Sequence, residues 1–446
     1  MDKKANQITE GVIWKQLLIF FFPIAVGTFF QQLYNMVDTI VVGHFVGKEA
    51  LASVGGSSSQ LANFVVGFFT GFTSGTSVII SQAIGAKNDD MVQKGLHTSL
   101  TLSIAAGIVI SIIGVIFAPS FLEWMNTPPE IMKASAEYLK IYFSGIVFLF
   151  IYNMGSGILR AAGDSKSPLY FLICSCILNI ILDLAFVIGL RLGVKGVGYA
   201  TVISEAFSAG LVVYKLTKQK GNLKLSFGKL RLNGKVLKRQ LKIGLPTGFE
   251  SVLFSITNIA IQATLNGFGT DTMAAWSSYG KIDAFYWMIN GAFGISITTF
   301  VGQNYGAGRM DRVHKSTRIC LAMQLGITAV FVAAILLLRE QLIGIFTTDR
   351  YVIEIGANMM RLISPWYLSF VFIEILSGSL RGRGNVIVPV IITLFGVCVM
   401  RIVWLFTAVK ISPTLPTLVM SYPVTWVITA VVFIVYYISQ TRKEKA

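Results

Sequence analysis

Residues 82–94 read QAIGAKNDDMVQK, and residues 303–315 read QNYGAGRMDRVHK. Gln, Gly, Ala, Asp and Lys recur at matching places in the two stretches, at a shift of 221 positions. The same shift brings residues 157–168 onto residues 378–389, where Gly, Arg, Gly and Pro recur in order. Such repetition indicates that one unit of about half the chain was duplicated.

The repeat also includes the amino-terminal part of each half, where the shift is 223 positions. Pro23 then falls on Pro246, and Asn35 falls on Asn258. Most copied residues are of types that break helices or form tight turns, which is also their simplest explanation. The repeat predicts two halves, residues 1–222 and 223–446.

Hydrophobicity places this chain in a membrane. It is 54% hydrophobic with a mean hydropathy of +0.70, and long apolar runs such as residues 102–118 lack a polar stripe. Crossing a hydrocarbon core takes about 20 helical residues. We predict an all-α membrane protein with twelve transmembrane helices in two repeated six-helix lobes around a central cleft, the arrangement of a transporter. The predicted spans cover about 15–42, 50–84, 91–118, 130–161, 165–189, 193–218, 236–267, 272–305, 310–337, 351–382, 386–409 and 414–440.

The net charge of +16 reports orientation rather than nucleic-acid binding. Residues 215–242, between the halves, contain ten Lys or Arg and no acidic residue. The segments predicted to be cytoplasmic carry most of the positive charge, whereas the predicted external loops are balanced. Positive residues mark cytoplasmic loops. We therefore expect a multi-pass protein of the cell membrane with both termini cytoplasmic, no nucleic-acid partner, and a basic surface that could attract anionic lipid.

Acidic residues within the predicted spans are not copied by the repeat. Asp38 aligns with the apolar Ile261, and Asp183 aligns with Trp404. A carboxylate in hydrocarbon is costly unless it is paired, hydrated or protonated, so charges present in one lobe alone favour a functional role over a structural ion pair.

The polar residues of the first lobe form a coherent group. Helical spacing puts members of the group on shared faces of helices 1, 5 and 6. Counting along the helices brings Asp38, Asp183 and Thr201 to one depth in the outer half of the membrane. Carboxylates, an amide and a hydroxyl at one depth suit Na⁺ or a shared proton. The group comprises Gln31, Asn35 and Asp38 on helix 1, Asn179 and Asp183 on helix 5, and Thr201 and Glu205 on helix 6.

The second lobe carries its own charged group, Glu250, Lys281, Asp283, Glu374 and Arg401. The two basic residues could neutralise two of the three acids, which would make the group a satisfied structural network. The remaining acid keeps a cation site or a substrate site open as the alternative.

Aromatic and proline residues add two further hypotheses. Tyr279, Tyr286 and Trp287 on helix 8 could stack on an organic cation, although plain packing is the simpler explanation. Pro23 and Pro246 lie inside helices 1 and 7, where each predicts a kink. Such a kink could be a static bend or a functional hinge.

Four stretches resemble the multidrug and toxic compound extrusion (MATE) family. They are QQLYNMVDTIVVG at 31–43, QAIGA at 82–86, LRAAGD at 159–164 and NIILD at 179–183. The resemblance covers residues 12–440 or so, and the combination of stretches is what makes it specific. It implies an antiporter that exports cationic or amphipathic compounds in exchange for H⁺ or Na⁺ by alternating access.

The resemblance also implies roles for individual residues. Asp38, Asn179, Asp183 and Thr201 correspond to the family's first-lobe cation site, and Glu250 and Glu374 correspond to second-lobe acids that one branch uses. We add Asp283 to the second-lobe set as a coupling or substrate residue. Candidate substrate-binding residues are Gln31, Asn35, Glu205, Tyr279, Tyr286 and Trp287.

Two other functions remain as alternatives. A lipid-linked saccharide flippase of the same superfamily would share the fold, but its cavity would be expected to be basic rather than acidic. A membrane-embedded enzyme would need a catalytic motif, and no HExxH, GxSxG or phosphate-binding glycine loop occurs. The three histidines are too scattered for a zinc site. We expect a monomer without enzymatic activity, metal or cofactor, whose partners are the lipid bilayer and small molecules.

Overall fold

The computed structural model describes residues 7–444, which form helices joined by short turns. A short helix, Gln7–Glu10, precedes twelve long ones. These are α1 (Ile13–Phe45), α2 (Lys48–Gly85), α3 (Asp89–Trp124), α4 (Pro129–Ala161), α5 (Lys166–Gly189), α6 (Val194–Lys218), α7 (Gly234–Asn266), α8 (Thr270–Gly306), α9 (Met310–Gly344), α10 (Arg350–Gly382), α11 (Ile387–Ile411) and α12 (Leu415–Lys443). The all-helical fold class predicted from the sequence is confirmed.

Several of these helices contain a local irregularity. The helix α2 consists of Lys48–Gly55 and Ser57–Gly85. A π-helical turn, Leu184–Gly189, ends α5, and a second one, Leu394–Val399, lies inside α11. A 3₁₀ turn, Ser364–Trp366, interrupts α10.

Eleven of the twelve long helices within residues 7–444 are long and apolar enough to cross a membrane. The exception is α7, which has 33 residues but a more polar sequence. Its first turns carry Lys235, Lys238, Arg239 and Lys242. The predicted seventh span therefore corresponds to a helix of sufficient length whose amino-terminal part is strongly basic.

Repeated turns explain why the glycines were copied. Gly163 and Gly384, which the repeat aligns, both have positive φ angles, of 93° and 88°. Only glycine adopts that backbone conformation without strain. At the turn after α2, the left-handed residue is Lys87 with φ 52°, and the aligned residue after α8 is Gly308 with φ 71°. The turn geometry is thus conserved between the halves even where the residue type is not.

The chain divides into two compact units, whose boundaries differ from those of the two repeated halves. One unit contains Ile19–Gly248, and the other contains Ile8–Leu18 together with the residues from Phe249 onward. The start of α1 therefore belongs with the second unit, and the first half of α7 belongs with the first. The division into residues 1–222 and 223–446 describes the sequence repeat and stays a prediction.

Within the first unit, α2 and α7 approach each other through glycines. A Cβ atom on Gly75 would lie 2.7 Å from the backbone nitrogen of Gly244, and one on Gly71 would lie 2.5 Å from the carbonyl oxygen of Thr247. The Thr247 hydroxyl donates a hydrogen bond of 2.6 Å to the Gly71 carbonyl oxygen. Small residues four apart allow membrane helices to pack backbone to backbone in this way.

Candidate functional site

In the first unit, Asn179 on α5 connects the two predicted acids. Its side chain and that of Asp183 are fully buried. With its amide nitrogen directed at the carboxylates, Asn179 donates to Asp38 Oδ1 at 2.9 Å and to Asp183 Oδ2 at 3.2 Å. Amide orientation is assigned from such partners. The structure therefore brings together three of the first-lobe residues that the sequence grouped, Asp38, Asn179 and Asp183.

The local backbone explains how α5 presents this pair. Asn179 and Asp183 are four residues apart and share a helix face. The π-helical turn Leu184–Gly189 begins directly after Asp183. Such turns are frequent at functional sites because the extra residue changes which side chains face inward.

A second pair of polar residues adjoins this cluster on α6. The Tyr34 hydroxyl, on α1, donates to Thr201 Oγ1 at 3.2 Å. Glu205 lies one turn beyond Thr201 and is half-buried. Two carboxylate oxygens, Asp183 Oδ1 and Glu205 Oε2, are buried without a hydrogen-bond partner in the described part of the chain. Both are acceptors able to receive a proton or a cation.

The remaining first-lobe candidates are placed differently. Gln31 and Asn35 lie on α1 within two turns of Asp38, and both are exposed. Tyr34, which the sequence analysis did not select, lies four residues before Asp38. Its spacing from Asp38 was the available signal, because residues four apart share a helix face.

The second unit surrounds Asp283 with hydrogen-bond donors. Trp287 Nε1 donates to Asp283 Oδ2 at 2.7 Å, and the Tyr279 hydroxyl donates to Oδ1 at 3.2 Å. The Tyr367 hydroxyl, from α10, also donates to Oδ1. Tyr279 and Tyr367 hydroxyls are themselves 2.8 Å apart. Three donors satisfy most of the accepting capacity of a carboxylate, so Asp283 is held firmly in one position.

Glu374 has a separate set of partners. Asn290 Nδ2 donates to Glu374 Oε2 at 3.2 Å, and Gln324 Nε2 donates to Asn290 Oδ1 at 2.7 Å. The glutamate packs directly over Gly294, where a Cβ atom would lie 1.8 Å from Glu374 Oε1. This chain of buried amides from α9 to α8 orients the carboxylate, and the glycine gives it room.

Glu250 on α7 is buried. Thr393, Arg381 and Glu374 lie close enough to influence its carboxylate, and the Thr393 hydroxyl itself donates to the Pro389 carbonyl oxygen at 2.9 Å. The π-helical turn Leu394–Val399 follows Thr393 directly. A polar residue thus precedes a π turn in each unit, at Asp183 and at Thr393.

Within residues 7–444, neither Lys281 nor Arg401 forms the salt bridge to an acid that we considered. Lys281 is exposed, with its ammonium 4.8 Å from the ring centre of Phe346. Arg401 is buried, with its guanidinium 4.1 Å from the ring centre of Tyr422. Lys281 precedes Asp283 by two residues, and residues at that spacing do not face each other on a helix. The structural-network explanation in its original form is therefore wrong.

The aromatic candidates on α8 pack within the second unit. Tyr286 is buried and stacks on Tyr367 with ring centres 3.9 Å apart. Trp287 is half-buried and meets Phe370 and Trp426 edge to face. Tyr279 is also buried. Their contacts are those of a packed core, and their substrate-binding role stays a prediction.

Both predicted hinge prolines lie inside continuous helices, Pro23 in α1 and Pro246 in α7. Pro246 lies between Gly244 and Gly248, where α7 meets α2. Proline and glycine both weaken a helix locally. No group of three or more His, Cys, Asp or Glu among residues 7–444 is arranged to hold a metal ion.

Comparison with known proteins identifies the family of this chain. The MatE family profile matches this chain twice, over residues 23–185 and 246–407. The two matches correspond to the two halves of the sequence repeat. Together they cover more than half of the chain.

Individual relatives agree. The chain is 30% identical to the probable multidrug resistance protein YoeA of Bacillus subtilis, over 86% of this chain and 84% of that protein. It is also 30% identical to the probable multidrug resistance protein NorM of Thermotoga maritima, over 89% and 86% of the two chains. Among solved structures, an outward-facing multidrug resistance MATE family transporter superposes with a TM-score of 0.91 at 23% identity, covering 100% of both chains. A MATE structure in a bent conformation gives 0.93 at 24%, covering 100% and 99%. This protein is thus a multi-pass membrane transporter that belongs to the MatE family.

Proposed function

We propose that this protein exports organic cations or amphipathic compounds in exchange for H⁺ or Na⁺. The observation that carries the proposal is the group in which the half-buried Asp38 and the buried Asp183 share the amide of Asn179. Relatives named as multidrug resistance proteins support the choice of substrate class.

The acid pair can register ion binding through its charge. Two carboxylates that contact one amide repel each other when both are ionised, so a proton or a sodium ion is held more tightly by the pair than by either acid alone. Loss of that ion restores the repulsion. The charge of the acid pair therefore differs between the ion-bound and the ion-free state. A coupled transporter needs such a difference in order to link ion binding to a change of conformation.

The Asn179 amide can adapt to both states of the pair. With its nitrogen toward the acids, it donates to both ionised carboxylates. With its oxygen toward them, three oxygen atoms converge, an arrangement that requires a cation or a proton among them. Asp183 Oδ1, which has no hydrogen-bond partner within residues 7–444, is available to the same ion.

We place substrate recognition near this group in the first lobe. Gln31 and Asn35 are exposed on α1 next to Asp38, and Glu205 is half-buried near Thr201. Acidic and amide groups of this kind suit a cationic compound. The ion and the substrate would then compete for binding in the first lobe. Antiport results if the protein also opens alternately to the two sides of the membrane.

Transport by purified protein in liposomes tests the proposal. Liposomes are loaded with a fluorescent organic cation. A pH gradient is imposed on one set of liposomes and a Na⁺ gradient on another. We expect the dye to move against one of the two ions, faster than in protein-free vesicles. Movement under neither gradient would contradict antiport of organic cations.

We also propose that both termini and residues 215–242 face the cytoplasm, on the basis of their positive charge. Single cysteines are introduced into a cysteine-free variant, and intact cells are treated with a membrane-impermeant maleimide. Sites in 119–130 and 340–350 are expected to react, whereas sites in 220–235 are not. The opposite pattern would reverse the orientation.

A further inference from the structure

The linker between α6 and α7 exposes a surface that has no part in the proposed ion and substrate sites. α6, which is long and apolar enough to cross a membrane, ends at Lys218, and α7 begins with its basic turns at Gly234, so the linker joins these two helix ends. Its exposed side chains are four basic and two apolar. We call the following set the linker surface: Lys220, Lys224, Phe227, Lys229, Arg231 and Leu232.

The linker is fixed to the start of α3 by hydrogen bonds. Four side chains of α3 bond linker residues at both ends and in the middle, which holds the backbone in one conformation. Gln93 Nε2 donates to the carbonyl oxygens of Asn222 at 2.7 Å and of Lys224 at 3.2 Å. Asn222 Nδ2 donates to Asp89 Oδ1 at 2.6 Å. The backbone nitrogen of Ser226 donates to His97 Nε2 at 3.2 Å, and that of Asn233 donates to Thr98 Oγ1 at 3.2 Å.

Apolar packing reinforces this attachment. Leu225 is 3% exposed and belongs to the core of the first unit, and Leu223 and Leu230 pack against that core. With the three leucines packed on the core, Lys224, Phe227 and Lys229 between them are exposed. Phe227 is 64% exposed and Leu232 is 48% exposed, each among lysine and arginine side chains.

Nearby acids do not neutralise this surface. Asp90 pairs with Lys94 at 2.6 Å, and Asp164 lies 4.0 Å from Lys215. Asp89 accepts a hydrogen bond from Asn222 and keeps its charge, so it offsets one of the four positive charges. Residues 215–242 contain no acid of their own, so the linker surface keeps a net positive charge.

We propose that the linker surface binds the headgroups of anionic phospholipids, with Phe227 and Leu232 inserted at the edge of the acyl chains. Lysine and arginine beside a membrane helix attract anionic lipid, and an aromatic side chain among them is suited to the interface. A preformed backbone lowers the entropic cost of binding. The charge is complementary to a phosphate headgroup, and the position at the helix ends brings it to the bilayer surface.

Lipid binding to the full-length protein in detergent tests this proposal. Native mass spectrometry measures the apparent affinities for phosphatidylglycerol and for phosphatidylcholine with the same acyl chains. We expect the native protein to prefer phosphatidylglycerol. The triple variant Lys224→Gln, Lys229→Gln, Arg231→Gln should bind phosphatidylglycerol between about tenfold and hundredfold more weakly, because each basic residue contributes to attraction of anionic lipid.

The matched control removes three exposed basic residues elsewhere, as Lys133→Gln, Arg350→Gln and Lys410→Gln. It should keep the native affinity for phosphatidylglycerol. A further variant, Phe227→Ser with Leu232→Ser, should weaken binding of both lipids. Equal loss in the linker triple and the control triple, or unchanged phosphatidylglycerol affinity in the linker triple, would overturn the proposal. Thermal melting confirms that each variant is folded.

Discussion

Asp38→Asn is expected to reduce ion-driven export to the background of protein-free vesicles, while the protein still folds and inserts. The substitution keeps the size of the side chain but removes its charge and its ability to take up a proton. Asp183 would then face two amides instead of a second acid, and the pair could no longer register an ion through its charge. Folding should tolerate the change because no salt bridge to Asp38 occurs within residues 7–444, so no buried cation is left unpaired.

Purified variants in liposomes provide the measurement, with dye movement under imposed H⁺ and Na⁺ gradients as the readout. Equilibrium binding of the dye without a gradient is measured in parallel. We expect Asp38→Asn to lower the rate of gradient-driven dye movement at least about tenfold. The affinity for the dye should change by a smaller factor, because only interactions specific to coupling are removed. A thermal melt in detergent verifies the fold.

Glu250→Gln is the matched comparison in the second lobe. Glu250 is a buried acid, whereas Asp38 is half-buried, and the neighbours of Glu250 include the Thr393 hydroxyl and the charges of Arg381 and Glu374. If coupling occurs in the first lobe, this variant should keep more of its transport than Asp38→Asn does. Normal transport by the Asp38→Asn variant, together with loss of transport in the Glu250→Gln variant, would assign coupling to the second lobe instead.

The first-lobe cluster could be predicted from the sequence because three simple rules agreed. The repeat showed which charges were unique to one lobe, helical spacing put Asn179 and Asp183 on one face, and helix length gave a common depth. The hydrogen bonds from Asn179 to both acids match that prediction. These rules need only the positions of residues along straight helices.

The second-lobe environment could not be predicted in the same way. The aromatic cage around Asp283 depends on Tyr367, which lies 84 positions away along the chain and on another helix. Charge counting suggested ion pairs with Lys281 and Arg401, yet both residues stack on aromatic rings. The rotation of one helix against another decides such contacts. A π turn such as Leu394–Val399 changes that rotation partway along a helix without an obvious sequence signal.

The glycine contact between α2 and α7 did have a sequence signal. Gly71 and Gly75 are four apart, and so are Gly244 and Gly248. That spacing marks close approach of membrane helices. What the spacing did not reveal was the partner, because the first half of α7 follows the linker and yet packs within the first unit.

Gly75→Leu is expected to prevent stable assembly of the first unit. Even the smallest added side chain would place its Cβ atom 2.7 Å from the backbone nitrogen of Gly244 and 2.9 Å from its Cα atom. Backbone atoms cannot rotate away as a side chain can, so α2 and α7 must separate. Overpacking by one methyl group costs about 1–3 kcal/mol, and a leucine adds three more carbon atoms at the same point.

Separation of the helices would also break the hydrogen bond from Thr247 to the Gly71 carbonyl oxygen. We expect Gly75→Ala to lower the melting temperature in detergent by roughly 5–10 °C and Gly75→Leu to yield little folded protein. Gly210→Leu is the matched control, since Gly210 is an exposed glycine on α6 in the same unit with nothing within 4 Å of an added Cβ atom. It should melt at or above the native temperature because leucine favours a helix more than glycine does. Native-like melting of Gly75→Leu, or an equal loss in Gly210→Leu, would show that the close glycine contact does not hold the two helices together.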